Sequence, residues 1–429
     1  MDKITLKHQK FFTGFLLHLH PRTVPEETLR FTLSWGLGGM ATVLVGLLFS
    51  SGVLLLLVYQ PTVEQAYASI QILTHEVPFG RWVRNIHHWS ANLLVVIAVL
   101  HFLRVVLTGG FGSGRRLNWI IGLCSLFLLL SANFTGYLLP WDQLAYWAVT
   151  ISTSMLGYIP LGGPWLLELF RGGNDVGAGT LANFFVLHVT FIPATLFILL
   201  LWHFWLVRRA GGLVQVENDR NIPMRRVDVM PKLIMREAAV GLTLLAFILL
   251  LAIFCDAPLQ VQANPGLSPN PAKSPWYFLG FQELLLHIHP LFAIFIWPLF
   301  GVAVLFYLPF WCDSALPPGI WFGSARGKIL ALWTSCVAVL ITLGVILTDN
   351  LLLQLGSSAA GNSLLLRGLL PTSGVLVLSV CSYLLLVRKL KYSRAEVVMS
   401  GIVFLLSALA VSTIIGLWFR GAGMLLVWP

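Results

Sequence analysis

Nine long apolar segments constrain the fold of this 429-residue chain more than any other feature. Each is about twenty residues long or longer, which is the length an α-helix needs to cross the hydrocarbon core of a bilayer. Hydrophobic residues make up 57% of the chain and charged residues only 10%, a composition that soluble domains do not have. The segments lie at about 36–58, 81–107, 117–138, 181–207, 236–255, 288–310, 328–347, 371–388 and 398–418. The sequence therefore predicts an all-α integral membrane protein, a bundle of eight to nine spans.

Lysine and arginine cluster in alternate loops, which predicts the orientation of the bundle. The clusters lie at the N-terminus, 104–116, 208–236, 326–328 and 388–394, whereas the loops 59–80, 139–180, 256–287 and 348–370 carry few. Basic loops stay in the cytoplasm, so the N-terminus is expected there, with a basic amphipathic lead-in over 1–34 on the membrane surface. The net charge of +10 thus reflects membrane topology, and no nucleic-acid partner is expected.

Two of the apolar segments each carry a pair of histidines, His87 with His101 and His188 with His203. Fourteen residues of α-helix rise about 21 Å, so both members of a pair fall within the hydrocarbon core, near one helix face. Ionisable groups there are costly and usually functional. Two such helices can form two bis-imidazole sites, the ligand set of two non-covalent b-type haems, with His87 and His188 outer and His101 and His203 inner.

The alternative interpretation of these histidines is packing or interfacial placement, which the repeated spacing disfavours. The second pair is fifteen residues apart rather than fourteen. Pro193 lies between its members and is predicted to kink the helix, which would account for the extra residue.

Arginines and glycines around the histidines fit the same prediction. Arg84 and Arg104 lie one turn from a histidine, toward the membrane surface, where a guanidinium can pair with an anionic haem propionate. Interfacial snorkelling is the alternative for both. Glycines on two other spans repeat the fourteen-residue interval and would let porphyrin planes approach the backbone, although ordinary small-residue packing is also open. They are Gly38 and Gly52 in the first span, and Gly122 and Gly136 in the third.

Several motifs in the first half closely resemble cytochrome b of the bc- and bf-type quinol oxidoreductases. They are YQPTVEQAYASIQ, RWVRNIHHWSAN, LHFLRVVLTGGF, GYLLPWDQLAYWAV and ELFRGG…VGAGTL. The resemblance covers about 36–210, is nearest to the chloroplast-type branch, and implies a diheme cytochrome b domain over 1–215 whose first four spans form a four-helix bundle. It also implies that His87 and His188 hold the low-potential haem, and His101 and His203 the high-potential haem. The chain continues into a domain over 216–429 with four to five spans, like a bacterial fused form.

The second half resembles the family more weakly, through NPAKSPWYFLGFQELL at 270–285. The family has Pro-Glu-Trp-Tyr in this loop beside the quinol oxidation site, and here Trp276 and Tyr277 are kept but Pro275 replaces the glutamate. Glu283 is the nearest carboxylate and the candidate proton acceptor, with Tyr277 as a candidate for orienting quinol. An interfacial charge is the alternative for Glu283. Two nearby histidines, His287 and His289, are candidate proton relays or simply wet interfacial residues.

The resemblance implies a quinol:cytochrome c-type oxidoreductase subunit in the bacterial cytoplasmic membrane. Quinol would be oxidised at the outer face, between 139–165 and 270–285. One electron would pass to a Rieske-type iron–sulfur partner and the other through two b haems to a cytoplasmic-side quinone, contributing to the proton gradient. A c-type cytochrome subunit and a dimeric multisubunit complex are expected. A diheme quinone-linked anchor for multihaem c-type cytochromes, without a Rieske protein, is the first alternative. A transporter or structural membrane protein that kept the bundle is the second.

Overall fold

The computed structural model describes residues 22–112, 114–212, 225–312, 319–354 and 363–428. Its helices, numbered along the chain, are α1 (Phe31–Ser34), α2 (Leu37–Leu56), α3 (Ala66–His75), α4 (Gly80–Leu107), α5 (Arg116–Leu138), α6 (Gln143–Ser154), α7 (Gly163–Arg171), α8 (Ala178–Arg209), α9 (Val229–Phe254), α10 (Leu279–His287), α11 (Leu291–Trp311), α12 (Ala325–Gln354), α13 (Leu365–Lys389) and α14 (Arg394–Trp418). Within the described ranges, nine helices are long and apolar enough to cross a membrane. They are α2, α4, α5, α8, α9, α11, α12, α13 and α14. The all-α membrane bundle predicted from hydropathy is thereby confirmed.

A short two-stranded sheet ties the start of the described chain to the connection between α8 and α9. Strand β1 (Thr23–Pro25) pairs antiparallel with β2 (Arg226–Asp228), and Val24 lies opposite Val227. Both valines are buried together, so the contact excludes water. The predicted lead-in over 1–34 is described only from residue 22 onward, and its first 21 residues lie outside the described chain.

The first four spanning helices pack as two close pairs. Helix α2 packs along α4, α5 packs along α8, and α4 also touches α5. Helix α9 then covers α2 and α4. Leu44, Leu94, Leu129 and Ile248 are buried in one cluster that draws on α2, α4, α5 and α9. The bundle of four spans therefore has the fifth span packed on its side.

The later spans are built around α14, which packs along α12 and against α10. A second buried cluster joins them to the first half, because Trp119 of α5 lies with Leu308 of α11 and Met399 of α14. The two halves thus share buried contacts, and the predicted boundary between 1–215 and 216–429 stays a prediction.

Contacts between loops show which of them share a side of the bundle. The guanidinium of Arg84 donates to the carbonyl of Ala257, whereas at the other end Phe322 N donates to the carbonyl of Leu107. The upper side comprises 57–79, 139–177, 255–290 and 419–428, and the lower side comprises 108–112, 225–228, 319–324 and 390–393. This grouping agrees with the alternation of basic loops. That the lower side is cytoplasmic stays a prediction.

Candidate functional site

The four histidines meet as two pairs, one above the other, inside the four-helix bundle. The ring centroids of His87 and His188 are 6.3 Å apart, and those of His101 and His203 are 6.5 Å apart. A metal held between two imidazoles at about 2.0–2.1 Å from each nitrogen, with about 1.2 Å from nitrogen to ring centre, separates the centroids by about 6.4 Å. The observed separations therefore fit an iron held between each pair.

Hydrogen bonds orient both imidazoles of the upper pair. His87 Nδ1 lies 3.0 Å from Ser51 Oγ, and that hydroxyl itself donates to the carbonyl of Leu47. His188 Nδ1 lies 3.0 Å from the carbonyl oxygen of Ala132. Each Nδ1 thus has an acceptor for its proton, which leaves Nε2 of a neutral ring with a free lone pair. This is the tautomer that a metal-ligating histidine needs.

Each of the four glycines lies against one of the four histidines. A Cβ built on Gly38 would lie 3.6 Å from His101 Cε1, and one on Gly52 would lie 3.3 Å from His87 Cε1. On α5, a Cβ built on Gly122 would lie 3.5 Å from His203 Cε1, and one built on Gly136 would lie 2.5 Å from His188 Cε1. A side chain at Gly136 would overlap the imidazole. Gly136, and to a smaller degree Gly52, therefore makes room for an imidazole, whereas a Cβ at Gly38 or Gly122 would be in ordinary contact. The predicted contact of these glycines with a porphyrin stays a prediction.

The fifteen-residue interval in α8 has a local structural cause. The segment Leu187–Phe191 forms a π-helical turn that contains His188 and ends just before Pro193. A π turn holds one more residue than an α turn. Because the π turn takes up one residue, His188 and His203 lie at the same two depths as His87 and His101, which are fourteen residues apart. The extra residue of the second pair therefore lies in this turn, ahead of Pro193.

The two arginines beside the histidines are buried and bind backbone carbonyls. Arg84 donates to the carbonyls of Ala257 at 2.9 Å and Pro258 at 2.6 Å. Arg104 donates through Nε to the carbonyl of Leu33 at 3.0 Å. Arg84 therefore anchors the loop after α9 to α4, and Arg104 anchors α1 to α4. The predicted pairing of both arginines with haem propionates stays a prediction.

The loop at 270–278 is fixed to the helix that carries His87 and His101. Trp276 Nε1 donates to Asn92 Oδ1 over 2.6 Å, and Phe278 packs on Phe134 of α5 with ring centroids 5.8 Å apart. Tyr277 lies between these neighbours in the chain, and burial raises the pKa of its hydroxyl above the ordinary value. The hydroxyl is thus a donor at neutral pH. Sequence reasoning missed Asn92, which only the meeting of two distant segments reveals.

Glu283 is almost fully buried, at 1% side-chain exposure, and its carboxylate is paired. It accepts hydrogen bonds from Arg420 Nε at 3.0 Å and from His287 Nε2 at 3.2 Å. Burial raises the pKa of the carboxyl, but the hydrogen bonds and charges of His287 and Arg420 outweigh it and leave the pKa below its ordinary value. Tyr277 packs against the buried cluster of α2, α4, α5 and α9, whereas Glu283 contacts His287 and Arg420 in the second half of the chain.

Three further charged residues around Glu283 were not singled out in the sequence. They are Asp349 at the upper end of α12, Arg367 at the start of α13, and Arg420 directly after α14. Asp349 Oδ2 lies 2.7 Å from His287 Nδ1, and Arg367 donates to Asp349 Oδ1 at 3.2 Å. All three lie at the ends of apolar spans, where charged residues are common. Nothing in the sequence therefore indicates that these three residues come together around Glu283.

Comparison with known proteins identifies the family. Residues 24–211 match the family model described as cytochrome b/b6/petB. The chain is 42% identical over 175 residues to cytochrome b6 of Synechococcus sp. (strain WH7803), a stretch that covers 41% of this chain and 80% of that protein. Cytochrome b6 of Prochlorococcus marinus (strain MIT 9215) is 41% identical over 175 residues, with the same coverage. The chain belongs to the cytochrome b/b6 family, which implies b-type haem binding.

A solved structure extends the likeness of fold to the second half. A chain of the Hyperthermophilic respiratory Complex III superposes with a TM-score of 0.66 at 24% identity, over 92% of both chains. The whole chain, and not only its first half, therefore has a fold known from a respiratory complex.

Proposed function

We propose that this chain is the diheme cytochrome b subunit of a quinol:cytochrome c-type oxidoreductase. Two pairs of histidines at the separation of a bridging metal, at two depths of one four-helix bundle, carry this proposal. His87 and His188 would hold the upper b haem, and His101 and His203 the lower one. When bound, the haems supply one-electron transfer between the two sides of the membrane.

Residues around the upper pair prepare it for the proposed role. Ser51 and the carbonyl of Ala132 would fix the tautomers of the two proposed upper ligands, and Gly52 and Gly136 leave space beside these two rings. Arg84 and Arg104 lie close enough along α4 to stay candidates for binding haem propionates. Their backbone contacts would then hold them in place for that role.

Quinol is proposed to bind on the upper side, between 139–165 and the loop at 270–285. The hydrogen bond from Trp276 to Asn92 holds this loop on the haem-bearing helix α4. Tyr277, with a hydroxyl that stays protonated, would donate a hydrogen bond that orients quinol. Glu283 remains the proposed proton acceptor, because its carboxylate is ionised at neutral pH and contacts His287, which provides a next group for the proton.

The proposed complex contains subunits that this chain does not supply. A Rieske-type iron–sulfur protein and a c-type cytochrome would take electrons on the upper side, and a second quinone would be reduced on the lower side. We place the complex, as a dimer, in a bacterial cytoplasmic membrane with the N-terminus in the cytoplasm, where it would contribute to the proton gradient. Membership of the cytochrome b/b6 family and the fold shared with a chain of a respiratory complex support a place in a multisubunit complex.

Removal of single histidines tests the haem sites. His87→Ala or His188→Ala should abolish the upper haem, and His101→Ala or His203→Ala the lower one, because a low-spin bis-histidine iron needs both ligands. His88→Ala is the matched control, since His88 neighbours His87 but bonds Asn92. Haem content and reduced-minus-oxidised spectra provide the measurement. Two intact low-spin haems in any of the four variants would refute that ligand assignment.

A second candidate function is a diheme, quinone-linked anchor for multihaem c-type cytochromes without a Rieske protein. Two observations favour it: Pro275 stands where the family has a glutamate, and Glu283 is engaged by Arg420. Purification in mild detergent with identification of the co-purified subunits separates the two functions. An iron–sulfur subunit supports the first candidate, and multihaem cytochromes in its place support the second.

A further inference from the structure

Five charged side chains on the upper side form one continuous series of contacts, here called the charge chain. In order they are Arg420, Glu283, His287, Asp349 and Arg367. Arg420 Nε lies 3.0 Å from Glu283 Oε2, and His287 joins Glu283 at 3.2 Å to Asp349 at 2.7 Å through its two ring nitrogens. The charge chain links α10, α12, α13 and the end of α14. None of its members is a proposed haem ligand.

Side-chain exposure increases from Glu283 through His287 to Asp349. The side chain of Glu283 is 1% exposed, that of His287 is 8% exposed, and that of Asp349 is 20% exposed. The three groups therefore form a hydrogen-bonded path from a buried carboxylate to one that reaches solvent.

One exchangeable proton satisfies every hydrogen bond of this path. An ionised carboxylate only accepts hydrogen bonds, so the two bonds of His287 need either a doubly protonated ring or one protonated carboxyl. Arg420 and Arg367 carry two fixed positive charges that balance the two carboxylates. With a neutral ring and both carboxylates ionised, the charge chain is neutral and only one of the two bonds has a proton. With one more proton, on the ring or on a carboxyl, both bonds are made and the charge chain carries a single positive charge. The net charge that the buried site must hold is therefore zero in the first state and one in the second, which limits the cost of removing it from water.

We propose that Glu283, His287 and Asp349 conduct protons between the interior of the upper half and the upper surface. A proton bound by the Glu283 carboxylate passes to His287 Nε2, while the proton on Nδ1 passes to Asp349 and then to water. The ring turns over to restore its starting tautomer, so no charge accumulates. This proposal rests on the proposed function for the source of the proton, which is quinol.

Other charged groups near the path keep their own partners. Lys273 Nζ donates to the carbonyl of Leu417, and the His289 ring packs on Tyr158. Arg367 also donates to the carbonyl of Leu286, so both arginines are held as fixed charges. His287 is the titratable group that bridges the two carboxylates, and it is the centre of the test.

Substitution at the surface end of the path tests the proposal in the intact complex. Asp349→Asn should lower quinol oxidation on the order of 10²-fold, the scale of a positioned proton-transfer group, with both haems kept. Asp256→Asn is the control, because it changes an aspartate on the same side that is paired with Arg81 and is 56% exposed. This variant should leave the rate of quinol oxidation unchanged. Added acetate should restore the rate of Asp349→Asn, since it replaces a proton carrier and not a helix contact. An unchanged rate in Asp349→Asn, or a loss that acetate does not restore, would overturn the proposal.

A second measurement needs no turnover. The infrared difference spectrum of the oxidised complex between acid and neutral pH should contain carboxyl bands that disappear in Glu283→Gln and change in His287→Gln. Identical spectra in wild type and both variants would overturn the proposal. Failure of the proposed function gives a different result, because the wild type would then oxidise no quinol while these bands remained.

Discussion

The ion pair of Glu283 and Arg420 is one of the most deeply buried charge contacts in the described chain, with side-chain exposures of 1% and 4%. Two charges removed from water need each other, because loss of one partner leaves the other uncompensated and typically destabilises a protein by about 3–5 kcal/mol. Arg420 also donates to the carbonyl of Met424. The pair therefore fastens the segment after α14 onto α10.

The pH dependence of stability should report this pair. The folded-state pKa of Glu283 lies below its ordinary value of 4.5, so its contribution is fully present above about pH 4.5 and is lost as the pH falls through the folded-state pKa. The Tm of the wild type should exceed that of Glu283→Gln at pH 7, and the difference should shrink below about pH 4.5. Thermal unfolding in detergent between pH 7 and pH 3 measures it.

Glu64→Gln is the control for that titration, because it changes an exposed glutamate on the same side. Its Tm should follow that of the wild type throughout. A difference between wild type and Glu283→Gln that stayed constant down to pH 3 would assign the effect to shape rather than to charge.

At the scale of the helices, close approach of α5 to α8 depends on Gly136. A methyl group on its Cα would lie 2.5 Å from His188 Cε1, well inside van der Waals contact. Gly136→Ala should therefore displace His188 and abolish the upper haem while the lower haem stays, as haem content and spectra would show. Gly46→Ala on α2 meets nothing within 4 Å and should keep both haems. Retention of the upper haem in Gly136→Ala would show that α5 can move away from α8.

Helical periodicity allowed the histidine and glycine positions to be predicted, because each pair lies on one apolar helix at an interval that the backbone geometry fixes. The π turn at Leu187–Phe191 could not be predicted in this way, since hydropathy is insensitive to one inserted residue. The ion pair of Glu283 with Arg420 could not be predicted either. Arg420 lies 137 residues further along the chain, and no periodicity within one helix indicates which helices meet.

At the scale of the whole molecule, hydropathy and loop charge predicted nine spans and the side on which each loop lies, and the helices confirm the spans. The orientation in the membrane is a further prediction. In a variant whose native cysteines are replaced by alanine, Glu64→Cys should react with an impermeant thiol reagent on intact cells. Lys391→Cys should react only after permeabilisation, because basic loops stay in the cytoplasm. Both residues are exposed in the structure, and the reverse labelling pattern would invert the upper and lower assignments.

The segment after α14 has a consequence for how the protein is made. All four candidate haem ligands have been synthesised once the ribosome passes His203, whereas Glu283 receives its counter-charge only when Arg420 emerges and reaches the upper side. The same late segment closes over the loop at 270–275, where Gly423 N donates to Asn270 Oδ1. Haem insertion can therefore precede completion of the charge chain. A nascent or truncated chain that ends before Arg420 would contain all four proposed haem ligands, while the proposed proton path on the upper side was still incomplete. The two proposed functions are thereby separated in time during biogenesis.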